Sequence, residues 1–143
     1  MPVIGLDLGG TKLAGAILAE DGSIIERASC VLEGRGGADV GRLICEQLID
    51  LLADAQAHNL LIESLGVSVP GIYHRETGTV WAPNIPGWEC YPLRELLDAQ
   101  VGARIGVAFF SNMSHCLLQS SLSLYYQTGF SKSSSIIAST RVR

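Results

Sequence analysis

Several features that mark large classes of proteins are missing from this chain. No apolar run approaches the roughly 20 residues that a membrane-spanning helix requires. The N-terminus lacks the basic flank and continuous apolar segment of a signal peptide. Basic residues are outnumbered, since 10 Lys and Arg face 14 Asp and Glu and the net charge is −4. We therefore expect a cytoplasmic protein with no membrane partner and no nucleic-acid partner.

Closely spaced cysteines are also missing. The chain has four cysteines and no CxxC pair. Such spacing favours neither a zinc site nor a disulfide framework. The cysteines are therefore predicted to be small buried hydrophobic residues; they are Cys30, Cys45, Cys90 and Cys116.

Acidic residues are absent after Asp98, whereas residues 99–143 contain ten serines and four basic residues. The amino-acid composition of the chain therefore changes near residue 100. Apolar residues make up 48% of the 143 residues, which is enough for one compact domain with a real core. We predict a domain over residues 1–110 and a divergent, serine-rich tail over residues 111–143.

The apolar pattern predicts a mixed α/β order of strands and helices. Three short apolar runs predict an antiparallel meander, and a three- and four-residue periodicity predicts a helix with Asp39 as its N-cap and His58-Asn59 at its end. A hairpin is expected to turn at Thr77-Gly78. The predicted strands cover 3–8, 13–19, 24–32, 65–71 and 104–110, and the predicted helices cover 39–57, 92–99 and 113–126.

The sequence LDLGGTK, between the first two predicted strands, has the composition of a phosphate site. Backbone amides around Gly9 and Gly10 can converge on an anion, and glycines permit unusual backbone angles and close approach. Thr11 and Lys12 add a hydroxyl and a positive charge that suit phosphate oxygens. Asp7 could hold Mg²⁺ or its waters. The spacing fits neither a Walker A nor a dinucleotide motif, and alone it does not exclude an ordinary glycine-rich hairpin.

Two longer segments resemble one known family. IGLDLGGTKLAGAILAEDGSII resembles the first phosphate motif of the ROK family of bacterial sugar kinases and repressors. LGVSVPGIYHRETGTVWAPNIPGWECYPLRELL resembles the sugar-side segment of ROK glucokinases. The resemblance implies the N-terminal lobe of an actin/hexokinase-like, ribonuclease H-like ATPase fold, with a mixed sheet and flanking helices. It also implies ATP- and Mg²⁺-dependent phosphorylation of glucose or a related hexose.

The resemblance implies a role for each matching residue. Five residues would face the ATP phosphates and Mg²⁺: Asp7, Gly9, Gly10, Thr11 and Lys12. Pro70 and Gly71 would shape the sugar cleft, and Asn84 would hydrogen-bond a sugar hydroxyl, for which its amide has both a donor and an acceptor. Trp88 could stack on a sugar ring, but we favour a role as a core anchor of its loop.

The sequence departs from the family pattern after the last predicted strand. ROK kinases have an Asn-Asp pair there, and its aspartate accepts the proton of the sugar hydroxyl. If Asn112 matches the family asparagine, as a substrate-binding residue, Met113 occupies the catalytic position. A thioether cannot accept this proton, and the later phosphate motif and the zinc-binding motif are absent. We therefore expect no zinc site and an isolated chain without kinase activity.

Alternatives remain for the tail and for the function. The tail is either an out-of-frame end of a truncated kinase gene, which its composition favours, or a natural variant that completes a small domain. The chain could instead be the effector domain of an ROK repressor, although its motif begins at residue 4 and leaves no room for a helix-turn-helix. A non-catalytic sugar-binding or assembly module is the third possibility. An exposed inter-lobe face predicts a homo-oligomer.

Overall fold

The computed structural model describes residues 1–111, and within them seven strands and two α-helices follow the predicted order. The predicted helix over 113–126 lies outside the described residues. The elements are β1 (Val3–Leu8), β2 (Lys12–Leu18), β3 (Ile24–Val31), α1 (Gly37–Ala57), β4 (Ser64–Val69), β5 (Ile72–His74), β6 (Thr79–Trp81), α2 (Leu93–Val101) and β7 (Gly106–Ser111).

Five strands form one mixed sheet in the order β3-β2-β1-β4-β7. The first three strands pair antiparallel, which confirms the predicted meander, while β4 pairs parallel with both β1 and β7. Strands β5 and β6 form the predicted hairpin, which is a second, two-stranded sheet. Because β1, β4 and β7 are parallel, their carboxyl ends meet at one edge of the sheet.

The core lies between the sheet and α1. Alternate residues of β1 point to this side, and α1 contributes Leu48 and Leu51, which are fully buried. Burying each such side chain stabilises the fold by roughly 1.5–3 kcal/mol before the entropy cost of folding is counted. The opposite face of the sheet carries small residues instead, and they line a cavity of about 200 Å³; they include Gly5, Ala14, Ala16 and Gly66.

Helix α1 begins before the predicted N-cap. Gly36 is the N-cap, and Asp39 lies in the first turn, where its carboxylate forms an exposed ion pair of 3.3 Å with Arg42. The prediction for Asp39 is therefore wrong. The physical reason is that the Gly37 N–H already donates to the Pro86 carbonyl at 2.7 Å, so a loop from outside the helix takes part in its first turn. The predicted end at His58 is confirmed.

The prediction for the cysteines holds only in part. Cys30 and Cys45 are half-buried, but Cys90 is exposed, and Cys116 lies outside the described residues. All three described cysteines are free thiols. Neither described helix combines the length and apolarity that crossing a membrane would need.

Candidate functional site

The predicted phosphate turn connects β1 to β2. The Gly9 N–H donates a hydrogen bond of 2.8 Å to the Lys12 carbonyl, which closes the turn and engages one of the amides expected to face phosphate. The N–H groups of Gly10 and Thr11 donate to no other atom within residues 1–111. These two amides are therefore free to bind an anion.

The two glycines of the turn leave little room for a side chain. Glycine permits unusual backbone angles, but neither of these two has a positive φ. A Cβ atom on Gly9 would lie 3.2 Å from the Lys12 carbonyl oxygen, and one on Gly10 would lie 3.1 Å from the Cβ of Asn84. Both separations are shorter than ordinary van der Waals contact. The expected close approach thus occurs, and at Gly10 the neighbour is the loop that carries Asn84.

Asp7 lies near the carboxyl end of β1 and pairs in register with Ser68 of β4. The Ser68 hydroxyl donates a hydrogen bond to its carboxylate. Burial raises the pKa of the Asp7 carboxyl above its ordinary value, and the hydrogen bond from Ser68 offsets part of that effect. Sequence analysis missed Ser68. The pairing of β1 with β4 is the signal that could have identified it, because that pairing places residues 7 and 68 side by side.

The donor set at Asp7 limits the metal that it could hold. Within residues 1–111 no cluster of three or more His, Cys, Asp or Glu side chains could hold a metal ion. Mg²⁺ is often bound through one or two carboxylates, with its other ligands supplied by phosphates and water. Asp7 therefore fits a Mg²⁺ ion that arrives with a nucleotide, whereas residues 1–111 provide no cluster that would hold a metal ion with protein ligands alone.

Lys12 is exposed and lines the 200 Å³ cavity together with Asp7 and Ser68. Lys12 thus supplies a positive charge one residue after Thr11, and a positive charge suits phosphate oxygens. Neither Asn84 nor the Pro70-Gly71 pair lines this cavity. The sugar-side residues approach the turn from another direction.

Pro70 and Gly71 directly follow β4, at the sheet edge where β1 ends. Gly71 is buried, and a Cβ atom there would overlap the carbonyl oxygen of Trp81. Its observed role is to let the β5–β6 hairpin close at its base. Asn84, three residues after the hairpin, is exposed next to Gly10. The structure thus brings Asn84 to the phosphate turn.

Trp88 ends the loop that carries Asn84. Its side chain is 0% exposed and stacks on Tyr91, with ring centroids 4.3 Å apart. Its indole N–H donates a hydrogen bond of 3.0 Å to the Gly37 carbonyl. The predicted role as a core anchor is confirmed, and stacking on a sugar is excluded because no face of the ring is accessible.

The predicted catalytic region begins at the end of β7. Ser111, its last residue, lies beside Val69 of β4, and its hydroxyl accepts a hydrogen bond of 3.0 Å from the Tyr73 N–H. The end of β7 therefore lies at the same sheet edge as Asp7 and Pro70. Asn112 and Met113 lie outside the described residues, so their predicted roles remain sequence-based expectations.

Comparison with known proteins agrees with this architecture. Residues 3–113 match the sequence profile of the ROK family. The chain is 32% identical over 107 residues to a glucokinase from Thermotoga maritima, covering 73% of this chain and 32% of that enzyme. It is 30% identical over 97 residues to an N-acetyl-D-glucosamine kinase from Escherichia coli, covering 68% of this chain and 31% of that enzyme.

A solved structure shares the fold. It is a ROK family glucokinase from Streptomyces griseus in complex with glucose and AMPPNP, with a TM-score of 0.59 and 26% identity over 78% of this chain and 33% of that chain. The present chain thus spans about a third of the length of the relatives that it matches. The predicted actin/hexokinase-like lobe, with its mixed sheet and flanking helices, is confirmed.

Proposed function

The chain belongs to the ROK family, and from this premise we propose that residues 3–111 form the first-lobe half of an ATP-dependent sugar kinase site. The observation that carries the proposal is the contact between the two motifs. A Cβ atom on Gly10, in the phosphate turn, would lie 3.1 Å from the Cβ of Asn84, in the sugar-side loop. Phosphoryl transfer requires a donor phosphate and an acceptor hydroxyl to meet, and this contact is where they would do so.

The phosphate turn would hold the donor. The free N–H groups of Gly10 and Thr11 would donate to phosphate oxygens, and the Lys12 ammonium would balance their charge. Asp7 would hold the Mg²⁺ that accompanies the nucleotide, directly or through water. When bound, ATP would supply the phosphoryl group and Mg²⁺ would reduce the negative charge on it.

The loop that carries Asn84 would hold the acceptor. The exposed Asn84 amide can both donate to and accept from a sugar hydroxyl. Glucose and N-acetyl-D-glucosamine are the sugars named for two relatives. The acceptor class that we propose is therefore a hexose, without a choice among its members.

We further propose that this chain alone binds ligands without transferring phosphate. The resemblance aligns Met113 with the family aspartate that accepts the proton of the sugar hydroxyl, and a thioether cannot do so. This observation also favours the second candidate function, a non-catalytic sugar-binding module. The two candidates share the Asn84 prediction and differ in nucleotide binding, which only the kinase half-site requires.

Substitution of Asn84 tests the sugar-side half of the proposal. We expect the wild-type chain to bind D-glucose weakly, with a Kd on the order of millimolar, and Asn84→Ala to weaken binding by about tenfold, since it removes one to two hydrogen bonds. Gln56→Ala, which removes an exposed amide on α1, is the matched control. Equilibrium dialysis with labelled glucose measures both.

The same samples test turnover. Incubation with Mg·ATP and glucose should yield no sugar phosphate from the wild-type chain. Phosphorylation by this chain would refute the assignment of Met113 to the catalytic position. Equal glucose affinity of Asn84→Ala and wild type would refute the role of Asn84.

A further inference from the structure

The phosphate turn and the Asn84 loop are both attached to one short stretch of chain. It comprises residues 32–37, from the end of β3 to the first residue of α1, and is called here the bridging segment. The sequence LEGRGG has the composition of a flexible connection. Its contacts in the structure are instead short and specific, and they reach both halves of the proposed site.

The first end of the bridging segment holds the phosphate turn. The Leu32 N–H donates a hydrogen bond of 2.8 Å to the carbonyl of Thr11. The Leu32 side chain is only 1% exposed and belongs to the core. The Thr11 carbonyl is thus hydrogen-bonded to Leu32, a residue whose side chain is anchored in the core.

The second end holds the Asn84 loop. The Gly37 N–H donates to the Pro86 carbonyl at 2.7 Å, and the Gly37 carbonyl accepts from the Trp88 indole N–H at 3.0 Å. Gly36 packs so closely on Pro86 that a Cβ atom would overlap the Pro86 carbonyl oxygen. Gly36 has a φ of −143°, which any residue adopts. Space alone therefore requires a glycine there.

We infer that Gly36, Gly37 and Trp88 are positioning residues that hold Asn84 against Gly10. Through them the bridging segment sets the distance between the sugar hydroxyl and the donor phosphate, an inference that rests on the proposed function. Trp88 makes the loop rigid because it is fully buried and stacked on Tyr91. A displacement of even about 1 Å at such a site can reduce activity by about 100-fold.

A single methyl group tests this inference. Gly36→Ala should displace Pro86 and with it Asn84, whereas Gly106→Ala adds a methyl group on β7 where no atom lies within 4 Å. In the full chain we expect a nuclear Overhauser effect between the Gly10 backbone protons and the Asn84 β protons. It should be lost in Gly36→Ala and retained in Gly106→Ala. The affinity for D-glucose should fall about tenfold in the first variant only.

Trp88→Phe provides the second variant, because it keeps a buried aromatic ring while it removes the indole N–H together with one ring of the indole. If Gly36→Ala fails to fold, loss of the Gly10–Asn84 effect in folded Trp88→Phe supports the inference. Retention of that effect in Trp88→Phe and in any folded Gly36→Ala, or its equal loss in Gly106→Ala, overturns it. If the wild-type chain shows the effect but binds no glucose, the proposed function is refuted. The inference that Gly36, Gly37 and Trp88 hold Asn84 against Gly10 is then still tested by the variants.

Discussion

At the scale of single residues, Asp7 carries the charge on which the proposed nucleotide site depends. It lies half-buried against Ser68, and burial raises the pKa of its carboxyl. When the pKa of an acid is higher in the folded state than in the unfolded state, its protonated form stabilises the folded state at low pH. That contribution is lost as the pH rises through the folded-state pKa.

Replacing Asp7 by Asn should therefore make the free energy of unfolding less dependent on pH. We expect Asp7→Asn to gain stability relative to wild type as the pH rises from about 4 to 7, because wild type must ionise a partly buried carboxyl over that range. Urea unfolding at several pH values measures the effect. Asp50→Asn, at an exposed site on α1, is the control. Parallel pH profiles for wild type and Asp7→Asn would contradict this account.

The turn between β1 and β2 could be predicted from the sequence, and its role toward phosphate stays a prediction, but some contacts of its residues could not be predicted. Asp7 and Lys12 do line one cavity. A side chain at position 10 would crowd Asn84, a contact between residues far apart in the chain. Ser68 was missed because its importance depends on which strand pairs with β1.

At the scale of elements, the order and type of the described helices and strands follow from hydrophobic periodicity. The three- and four-residue period predicted α1, and Leu48 lies on the buried side of that helix. Its first turn was misplaced because Gly36 and Gly37 contact Pro86, about 50 residues later in the chain. Such a contact cannot be predicted from the residues near the start of the helix.

Adjacent residues of α1 test the assignment of its faces. Leu48 is 0% exposed, whereas Ile49 is 51% exposed. Leu48→Ala should lower the free energy of unfolding by about 2–5 kcal/mol, because it leaves a cavity in the core. Ile49→Ala should change it by no more than about 0.5 kcal/mol. Urea denaturation measures both, and similar losses for the two variants would show that the helix faces are assigned wrongly.

At the scale of the whole molecule, parallel pairing of β1, β4 and β7 brings together residues of the proposed site. It brings Asp7, Pro70 and Ser111 to one edge of the sheet, although they lie in separate parts of the sequence. The family resemblance predicted this fold, but the contact between Gly10 and Asn84 required coordinates. The domain boundary after residue 110, the homo-oligomer and the origin of the tail stay predictions.

The central claim is that the phosphate turn and the Asn84 loop form one site for a hexose and a nucleotide. The most direct test is a titration of the ¹⁵N-labelled chain with D-glucose and then with Mg·AMPPNP, followed by amide chemical shifts. Glucose should shift the Asn84 side-chain amide and the Gly10 amide, and the nucleotide should shift Gly10, Thr11 and Lys12. Shifts confined to residues away from the turn and the loop, or none with either ligand, would contradict the claim.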